Sequence, residues 1–295
     1  MKEVVVSEVE KKSVESAHYR QDIAIQGIEG SFHHIAAMNY FGDNINLIPC
    51  ERFEDVFRSL NNKKANKAIL AIENSVAGTI LPNYALLRNQ NYKIVGEVYL
   101  RIKHQLLTIK NQKIGAIKVV QSHPMALLQC QHFFEKYPHI RLVESDDTAA
   151  SAKRLVESAE MEVAVIASQQ AGEVFELNTI AKDIEDNKRN FTRFLILDKE
   201  CEKSIVEYEI NKASICFHLS HEAGSLAKVL THLATENINL TKIQSLPIVG
   251  REWEYFFHLD MEFDNYNNYN NGLKKIKSHI YDLQILGEYQ KGKTY

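Results

Sequence analysis

Two hydrophobic periods alternate along the first two-thirds of the chain. Short apolar runs such as residues 22–27 are followed by segments with apolar residues every three or four positions, such as the one that begins at Ser31. A short apolar run that ends in a turn predicts a strand, and the longer period predicts a helix. We therefore expect repeated strand–helix units that form a mainly parallel sheet covered by helices.

The individual elements follow from this pattern. Strands are predicted at residues 22–27, 68–72, 117–121, 140–143, 163–167 and 191–197, with a long extended segment at 94–109. Helices are predicted from Ser31 and at 53–60, 80–87, 124–137, 148–157 and 169–175.

The pattern changes after residue 198. Residues 199–212 are charged and weakly patterned, which is typical of a surface linker. Beyond them the chain predicts strand 213–219, helix 225–235, strands 238–248 and 254–262, helix 273–279 and strand 284–287. This is the ferredoxin-like βαββαβ order. The polar, asparagine-rich residues 264–272 are predicted to form a loop. We expect an N-terminal leader (1–21), an α/β domain (22–198), the linker and a second domain (213–290).

Composition excludes several classes of protein. The 295 residues include 35 Lys and Arg against 38 Asp and Glu, a net charge of −3, which favours neither nucleic acid nor an anionic membrane as partner. No run approaches the roughly 18 apolar residues of a membrane span, and Glu3, Glu8 and Glu10 interrupt any signal sequence. We therefore expect a cytoplasmic protein. The four cysteines are scattered, which argues against a zinc site or a disulfide framework.

Four polar clusters fall where strands end or helices begin. An open α/β sheet binds ligands at the carboxyl ends of its strands, so these clusters are the candidate site. They are GIEGSF with Ser31, Glu73–Asn74–Ser75 followed by Gly78 and Thr79, Ser122 with Gln129, and NFTRF with Thr192, Arg193 and Phe194. Each cluster taken alone is also explained by a turn or a helix cap.

These clusters would act by positioning and polarising a bound ligand. No phosphate-binding loop or G-x-S-x-G elbow is present, and nothing in the sequence calls for a metal or cofactor. A pocket of hydroxyls, amides and helix N-termini with one arginine suits a small carboxylated molecule. Strand alternation sends Thr192 and Arg193 to opposite faces, so both reach one pocket only if the backbone bends there.

The four clusters occur together, in order, in one known family. GIEGSF, AIENSVAGTI, SHPMALLQC and NFTRFLIL resemble the motifs of the prephenate dehydratases, and DDTAASA at 146–152 resembles a helix start of that family. The resemblance covers about residues 22–198. Residues 213–287 are similar to the ACT regulatory domain that follows it, with AGSLAKVL matching the G-A-L-x-x-x-L segment.

This resemblance implies an enzyme that converts prephenate to phenylpyruvate, carbon dioxide and water in phenylalanine biosynthesis, without a cofactor. Its fold would be a two-lobed catalytic domain resembling a type 2 periplasmic binding protein, with the site between the lobes. Thr192 would be the essential hydroxyl. Our own hypothesis is that Thr192 polarises the leaving oxygen or relays a proton to it, with Glu73 as the ultimate source. The substrate site would contain Ser31, Asn74, Ser75, Gly78, Thr79, Ser122, Gln129, Arg193 and Phe194.

The same resemblance implies regulation by L-phenylalanine. In that family phenylalanine binds between the ACT domains of a dimer or tetramer, so we expect a homo-oligomer with an effector site at Gly224, Ser225, Leu226, Gln244, Ser245, Leu246 and Pro247. The family's E-S-R-P motif is Gln-Ser-Leu-Pro here, which removes a possible ion pair and predicts altered sensitivity. A second departure is Met125, where the family usually has glutamine.

Two alternatives remain open. Arogenate dehydratases act on the transaminated substrate with the same motifs. A non-catalytic, amino-acid-sensing binding protein of the same two-lobed fold is the other alternative, although the intact Thr192-Arg193-Phe194 and Glu73-Asn74-Ser75 argue against it. We expect no chorismate mutase domain, because only about twenty residues precede the first strand.

Overall fold

The computed structural model describes residues 20–88, 90, 92–110, 112–199, 207–248 and 250–295. Nearly all of the expected leader and residues 200–206 of the expected linker lie outside these ranges. Within them, the chain forms three β-sheets that pack against helices.

The helices and strands follow one another along the chain in two parts. The first part contains β1 (Gln21–Gln26), α1 (Phe32–Phe41), β2 (Ile45–Cys50), α2 (Phe53–Asn61), β3 (Lys67–Asn74), β4 (Gly78–Thr79), α3 (Leu81–Arg88), β5 (Lys93–Arg101), β6 (Gln105–Thr108), β7 (Val119–Ser122), α4 (Pro124–Leu128), α5 (Gln131–Phe134), β8 (Arg141–Glu144), α6 (Thr148–Ser158), β9 (Val163–Ala167), α7 (Gln169–Val174), β10 (Asn178–Ala181) and β11 (Phe191–Asp198). The second part contains β12 (Lys212–His218), α8 (Ser225–Thr235), β13 (Asn239–Pro247), β14 (Tyr255–Glu262), α9 (Tyr266–Ile276) and β15 (Tyr281–Tyr289).

The first sheet has the order β2-β1-β3-β11-β5, with β4 paired to β3. Strands β1, β2 and β3 are parallel, whereas β11 runs antiparallel to both of its neighbours, β3 and β5. The second sheet, β10-β6-β9-β7-β8, is also mixed, because β6 is antiparallel to β9 and β10. The prediction of a mainly parallel sheet was therefore wrong. The fold is α/β with mixed sheets.

The chain crosses twice between the first two sheets. It leaves the first sheet after β5, builds the whole second sheet, and returns as β11 between β3 and β5. Two lobes result, joined by the segments before β6 and before β11. Gly30 lies where the lobes touch: it has φ +84°, and a Cβ there would lie 2.8 Å from the Cα of Ala171 in α7. Glycine is required at Gly30 for both reasons.

The third sheet has the order β13-β14-β12-β15, and its elements follow the predicted βαββαβ order. The predicted loop at 264–272 was wrong, because most of it belongs to α9. Tyr266, Tyr269, Leu273 and Ile276 recur at helical spacing and pack into the core of this part, while Asn265 caps the helix. The asparagines between these residues obscure the helical period in the sequence.

Three of the described strands, β2, β10 and the two-residue β4, were not predicted, and one predicted helix is broken. Strands β2 and β10 lie at the edges of their sheets, where half-exposed residues weaken the apolar alternation. The expected helix at 124–137 is divided into α4 and α5. No helix in the described part of the chain has the length and apolar character needed to cross a lipid bilayer.

The third sheet packs directly on the first. Leu70 and Ile72 of β3 share an apolar core with Leu246, Phe256 and Tyr289 of the third sheet. Strand β15 passes so close to β5 that a Cβ at Gly287 would lie 2.1 Å from the carbonyl oxygen of Ile94. The position of the third sheet relative to β3, β5 and β11 is thus defined by close packing.

Candidate active site

A cavity of about 640 Å³ lies in the cleft between the two lobes. The helices α1, α2, α4 and α6 all direct their N-terminal residues toward it, through Ser31, Phe53, His123 and Asp147. Backbone N–H groups at helix N-termini are only partly satisfied and carry partial positive charge. The cavity is therefore suited to an anionic ligand.

A chain of side-chain amides forms one wall of this cavity, and its polarity is set by the backbone. The N–H groups of Val76 and Ala77 donate to Asn74 Oδ1 at 2.9 and 2.8 Å. Backbone N–H groups can only donate, so the other end of the Asn74 amide must be its NH₂ group. That group donates to Asn190 Oδ1 at 2.7 Å and to Thr192 Oγ1 at 2.9 Å.

The same reasoning extends this series of hydrogen-bonded amides into the second lobe. Asn190 accepts through Oδ1, so its NH₂ group donates to Gln129 Oε1 at 2.8 Å. His104 Nε2 lies 2.9 Å from the same oxygen and must carry a proton to bond there. Burial lowers the pKa of His104, which keeps the ring neutral. Its tautomer is thus determined by the amide chain.

The series of hydrogen-bonded amides ends at the hydroxyl of Thr192. Its oxygen accepts from Asn74, so its own hydrogen remains to donate, and Thr192 lines the cavity. A donor held in this orientation before a ligand arrives stabilises negative charge that develops opposite it. The site can therefore donate a hydrogen bond to an oxygen atom of a ligand that gains charge.

A β-bulge in β3 decides which side chains reach the cavity. Arg193 pairs with Glu73 and Phe194 pairs with Ala71, so Ile72 is an extra residue on β3. The N–H of Ala71 donates to His33 Nε2 at 3.3 Å. As a result Ala71 and Asn74, three residues apart, both line the cavity. Bulges redirect side chains in this way.

Three predicted site residues consequently lie on the opposite face of the sheet. Glu73 binds Lys242 Nζ of β13 at 2.6 Å, and the Thr79 hydroxyl contacts the same ammonium group at 2.5 Å. Arg193 follows the regular alternation of β11 and also points toward the third sheet. The predicted location of Glu73, Thr79 and Arg193 in the cleft is therefore wrong.

Arg193 belongs to a buried ionic network. It donates through Nε to Glu97 Oε2 at 2.7 Å, through Nη1 to Asp260, and through Nη2 to the Tyr289 hydroxyl at 3.1 Å. Burial by itself raises the pKa of the Asp260 carboxyl, but the charges of Arg193 and His258 outweigh burial and hold that pKa well below its usual value. Lys212 completes the network, 3.0 Å from Glu97 Oε1.

Three further predicted residues have structural contacts outside the cavity. The Ser122 hydroxyl is fully buried and donates to the Ile166 carbonyl at 2.6 Å. Ser75 accepts from the Phe191 N–H and donates to the Arg189 carbonyl, joining the end of β3 to the start of β11. Gly78 lies in β4 with φ +87°. The remaining predictions, Ser31, Asn74, Gln129, Thr192 and Phe194, all line the cavity.

Several residues of the cavity wall were not predicted from the sequence. Arg52, at the start of α2, supplies the cation that had been expected from Arg193. His33 and His104 of the wall were also missed, as was Asn190, which is buried and links Asn74 to Gln129. Asn190 stood within the NFTRF motif, which was a usable signal. Burial lowers the pKa of His33 to about 3, so this ring is neutral as well.

Acidic side chains also line the cavity, but two of them are engaged elsewhere. Asp147 Oδ1 caps α6 by accepting from Ala150 N at 2.8 Å, and Asp146 pairs with Arg154 at 2.5 Å. Glu51 and Glu54 are exposed beside Arg52. No group of three or more metal-binding side chains comes together among the described residues.

A second cavity, of about 660 Å³, lies at one end of the third sheet. Ser225 and Leu226 line it, together with His218 and Trp253, while Gly224 is the left-handed residue that caps α8. Gln244, Ser245 and Pro247 lie on edge strand β13 and do not line it. Leu246 is buried in the core shared with β3, so the prediction that it contacts an effector is wrong.

Comparison with known proteins gives one consistent family. A family model described as prephenate dehydratase matches residues 23–202. Arogenate dehydratase/prephenate dehydratase 2, chloroplastic, of Arabidopsis thaliana is 35% identical over 282 residues, covering 92% of this chain and 73% of that protein. A bifunctional chorismate mutase/prephenate dehydratase of Aquifex aeolicus is 32% identical over 271 residues, covering 91% and 73%.

Two solved structures share the fold over most of the chain. One, described as a novel type of quorum quenching acylase, has a TM-score of 0.84 at 27% identity and covers 92% of this chain and 98% of that one. The other, prephenate dehydratase from Arthrobacter aurescens in complex with L-Phe, has a TM-score of 0.81 at 25% identity and covers 91% and 89%.

Proposed function

This chain belongs to the prephenate dehydratase family, and we propose that it converts prephenate to phenylpyruvate, carbon dioxide and water in phenylalanine biosynthesis. The observation that carries the proposal is the Thr192 hydroxyl, which is held as a donor by Asn74 at the wall of the cleft. Such an oriented donor is what the departure of a ring hydroxyl requires.

The reaction breaks two bonds of the substrate. The bond from the ring to its carboxylate breaks and releases carbon dioxide, the electron pair enters the ring, and the bond to the ring hydroxyl breaks on the far side. The product ring is aromatic, which supplies the driving force. Thr192 donates its hydrogen bond to the departing oxygen, and Asn74 stabilises the charge that develops on Thr192 Oγ1. The oxygen leaves as hydroxide and takes up its proton from solvent to form water, since Glu73 lies on the other face and binds Lys242.

We assign substrate binding to the groups in the cleft that carry full or partial positive charge. Prephenate carries two carboxylates, and we assign one to the guanidinium of Arg52 and the other to the N–H groups at the start of α1 beside Ser31. Phe194 and Ala71 provide apolar contact for the ring. Gln129 positions the wall from the second lobe through Asn190.

We assign the domains as residues 22–198 for catalysis, 199–212 as linker and 213–290 as an ACT regulatory domain. The two lobes joined by two crossings support a fold like that of a type 2 periplasmic binding protein. The βαββαβ order and the sheet order β13-β14-β12-β15 support the ACT assignment.

Regulation by L-phenylalanine is the second part of the proposal. The cavity beside Ser225 and Leu226 would receive the amino acid. Gln244 and Ser245 do not line this cavity, so they would take part only through the edge strand of a second copy, in a homodimer or homotetramer.

Arogenate dehydration is the second candidate activity. Arogenate has an ammonium group where prephenate has a ketone, and the exposed carboxylates of Glu51 and Glu54 line the cleft near Arg52. These carboxylates would attract the ammonium group.

The first experiment is a direct assay of both acids. Purified protein incubated with prephenate is expected to produce phenylpyruvate, followed by its absorbance, and incubation with arogenate would yield phenylalanine. The ratio of kcat/KM for the two acids assigns the substrate. If neither acid is consumed, the proposed function is wrong.

Replacement of the Thr192 hydroxyl tests the catalytic assignment. Thr192→Ala should lower kcat by about 10² or more with a modest change in KM, because the donor acts mainly in the transition state. Thr192→Ser retains a hydroxyl and is the matched control, with kcat much closer to wild type. Turnover by Thr192→Ala near the wild-type rate would exclude this role.

Replacement of Arg52 tests substrate binding. Arg52→Gln should raise KM about tenfold or more with a smaller effect on kcat, because a charge-assisted hydrogen bond to a carboxylate is lost. Arg52→Lys, which keeps the charge, should have an intermediate KM. An unchanged KM in Arg52→Gln would mean that a group other than Arg52 binds the substrate carboxylate.

The effector site can be followed through Trp253, the single tryptophan of the chain, which is 75% exposed in the wall of the second cavity. L-phenylalanine should change its fluorescence in a saturable way and reduce turnover, whereas L-alanine, which lacks the ring, should do neither. Absence of binding heat, of a fluorescence change and of inhibition would rule out this effector.

A further inference from the structure

Two neighbouring rungs of the first sheet carry different functions on their two faces. Thr192 pairs with Asn74, and the next rung pairs Arg193 with Glu73. The first pair faces the cleft and the second pair faces the third sheet. The two rungs are joined by a single planar peptide unit on each strand.

The two contacts of the second rung differ in burial. Arg193 and Asp260 are 6% and 1% exposed, and removal of one partner from such a buried pair is strongly destabilising. The side chains of Lys242 and Glu73 are 12% and 33% exposed, and pairs nearer to solvent contribute little to stability. The Arg193 network therefore anchors the third sheet, while the Lys242 contact is the one that can change without loss of the fold.

Lys242 closes the base of a small hairpin. Glu73 and Thr79 are partners across the β3–β4 ladder, and the Lys242 ammonium bonds both of them. The tip of the same hairpin supplies the N–H groups of Val76 and Ala77 that orient Asn74. The base contact thus holds the groups on which the direction of the Asn74 amide depends.

We propose that Lys242 is a positioning residue for the reaction: by joining Glu73 to Thr79 it holds the hairpin that orients Asn74, and so sets the hydrogen bond from Asn74 to Thr192. This rests on the proposed function. Lys242 lies two residues before Gln244 on β13 and so shares its face of that strand, which puts the contact next to the expected effector residues. Movement of β13 is thereby passed to the cleft.

The test compares two substitutions. Lys242→Met removes the ammonium group and keeps the length of the side chain. Lys274→Met makes the same change at an exposed lysine of α9, a helix that packs on the third sheet. Three quantities are measured in the full-length protein: kcat and KM with prephenate and arogenate, the thermal midpoint, and the hydrogen exchange rates of the Val76 and Ala77 amides. Lys242→Arg, which can still donate to both oxygens, is the rescue variant.

Lys242→Met should lower kcat about tenfold with KM within about twofold, since the hydroxyl is misdirected and binding is retained. Exchange of the Val76 and Ala77 amides should accelerate about tenfold, as their hydrogen bond to Asn74 is weakened. Lys274→Met should change neither quantity, both variants should have the same thermal midpoint, and Lys242→Arg should recover most of the turnover.

Three outcomes overturn the proposal: unchanged amide exchange, unchanged kcat, or a fall in kcat matched by a fall in the thermal midpoint, which would mean that Lys242 only holds the sheets together. The exchange measurement does not depend on catalysis. If the wild-type protein consumes neither acid, the proposed function is wrong. The effect of Lys242 on the hairpin is then tested by the exchange of the Val76 and Ala77 amides alone.

Discussion

The pairing of β3 with β11 is the contact on which the cleft and the third sheet both depend. The two strands are more than a hundred residues apart in the chain, and they bring Asn74 against Thr192 on one face and Glu73 beside Arg193 on the other. The extra residue Ile72 makes this division possible. Without the bulge, regular alternation from Ala71 would turn Glu73 into the cleft and Asn74 away from it.

The buried charges behind that pairing are stable because nearly every charged atom has a partner. Burying an ion costs several kcal/mol even after relaxation, and an isolated Arg193 or Asp260 would destabilise the fold. Glu97 offsets part of this cost by accepting from Arg193 with one oxygen while the other meets Lys212. Because ionic geometry is directional, the network also fixes the orientation of the third sheet on the first, which apolar packing around Leu246 alone would leave less defined.

The cleft achieves its chemistry without a strong acid. Two of its histidines, His33 and His104, are kept neutral by burial, and a threonine hydroxyl is the group presented to the ligand. The protein contributes the orientation of its hydrogen-bonding groups. Backbone N–H groups orient the Asn74 amide, and that amide donates to Thr192, so Thr192 is a donor before the ligand binds. Prior orientation of dipoles is effective where the reaction itself supplies the driving force.

The sequence by itself determined most of the elements, the βαββαβ order of the C-terminal part and the motifs that identify the family, because hydrophobic period and cap residues act over a few neighbouring positions. It also identified Thr192, Asn74, Gln129, Ser31 and Phe194 as candidates for the cleft. Only the tertiary structure decided that Glu73 and Arg193 face away from it. That choice depends on one bulge, which is sustained by contacts of Ala71 with His33 and of Ile72 with Ile80, and on charged partners in the third sheet. Contacts between residues so far apart leave no periodic trace in the sequence, and Arg52 was missed for the same reason: it lines the same cavity as Thr192 only in the folded chain.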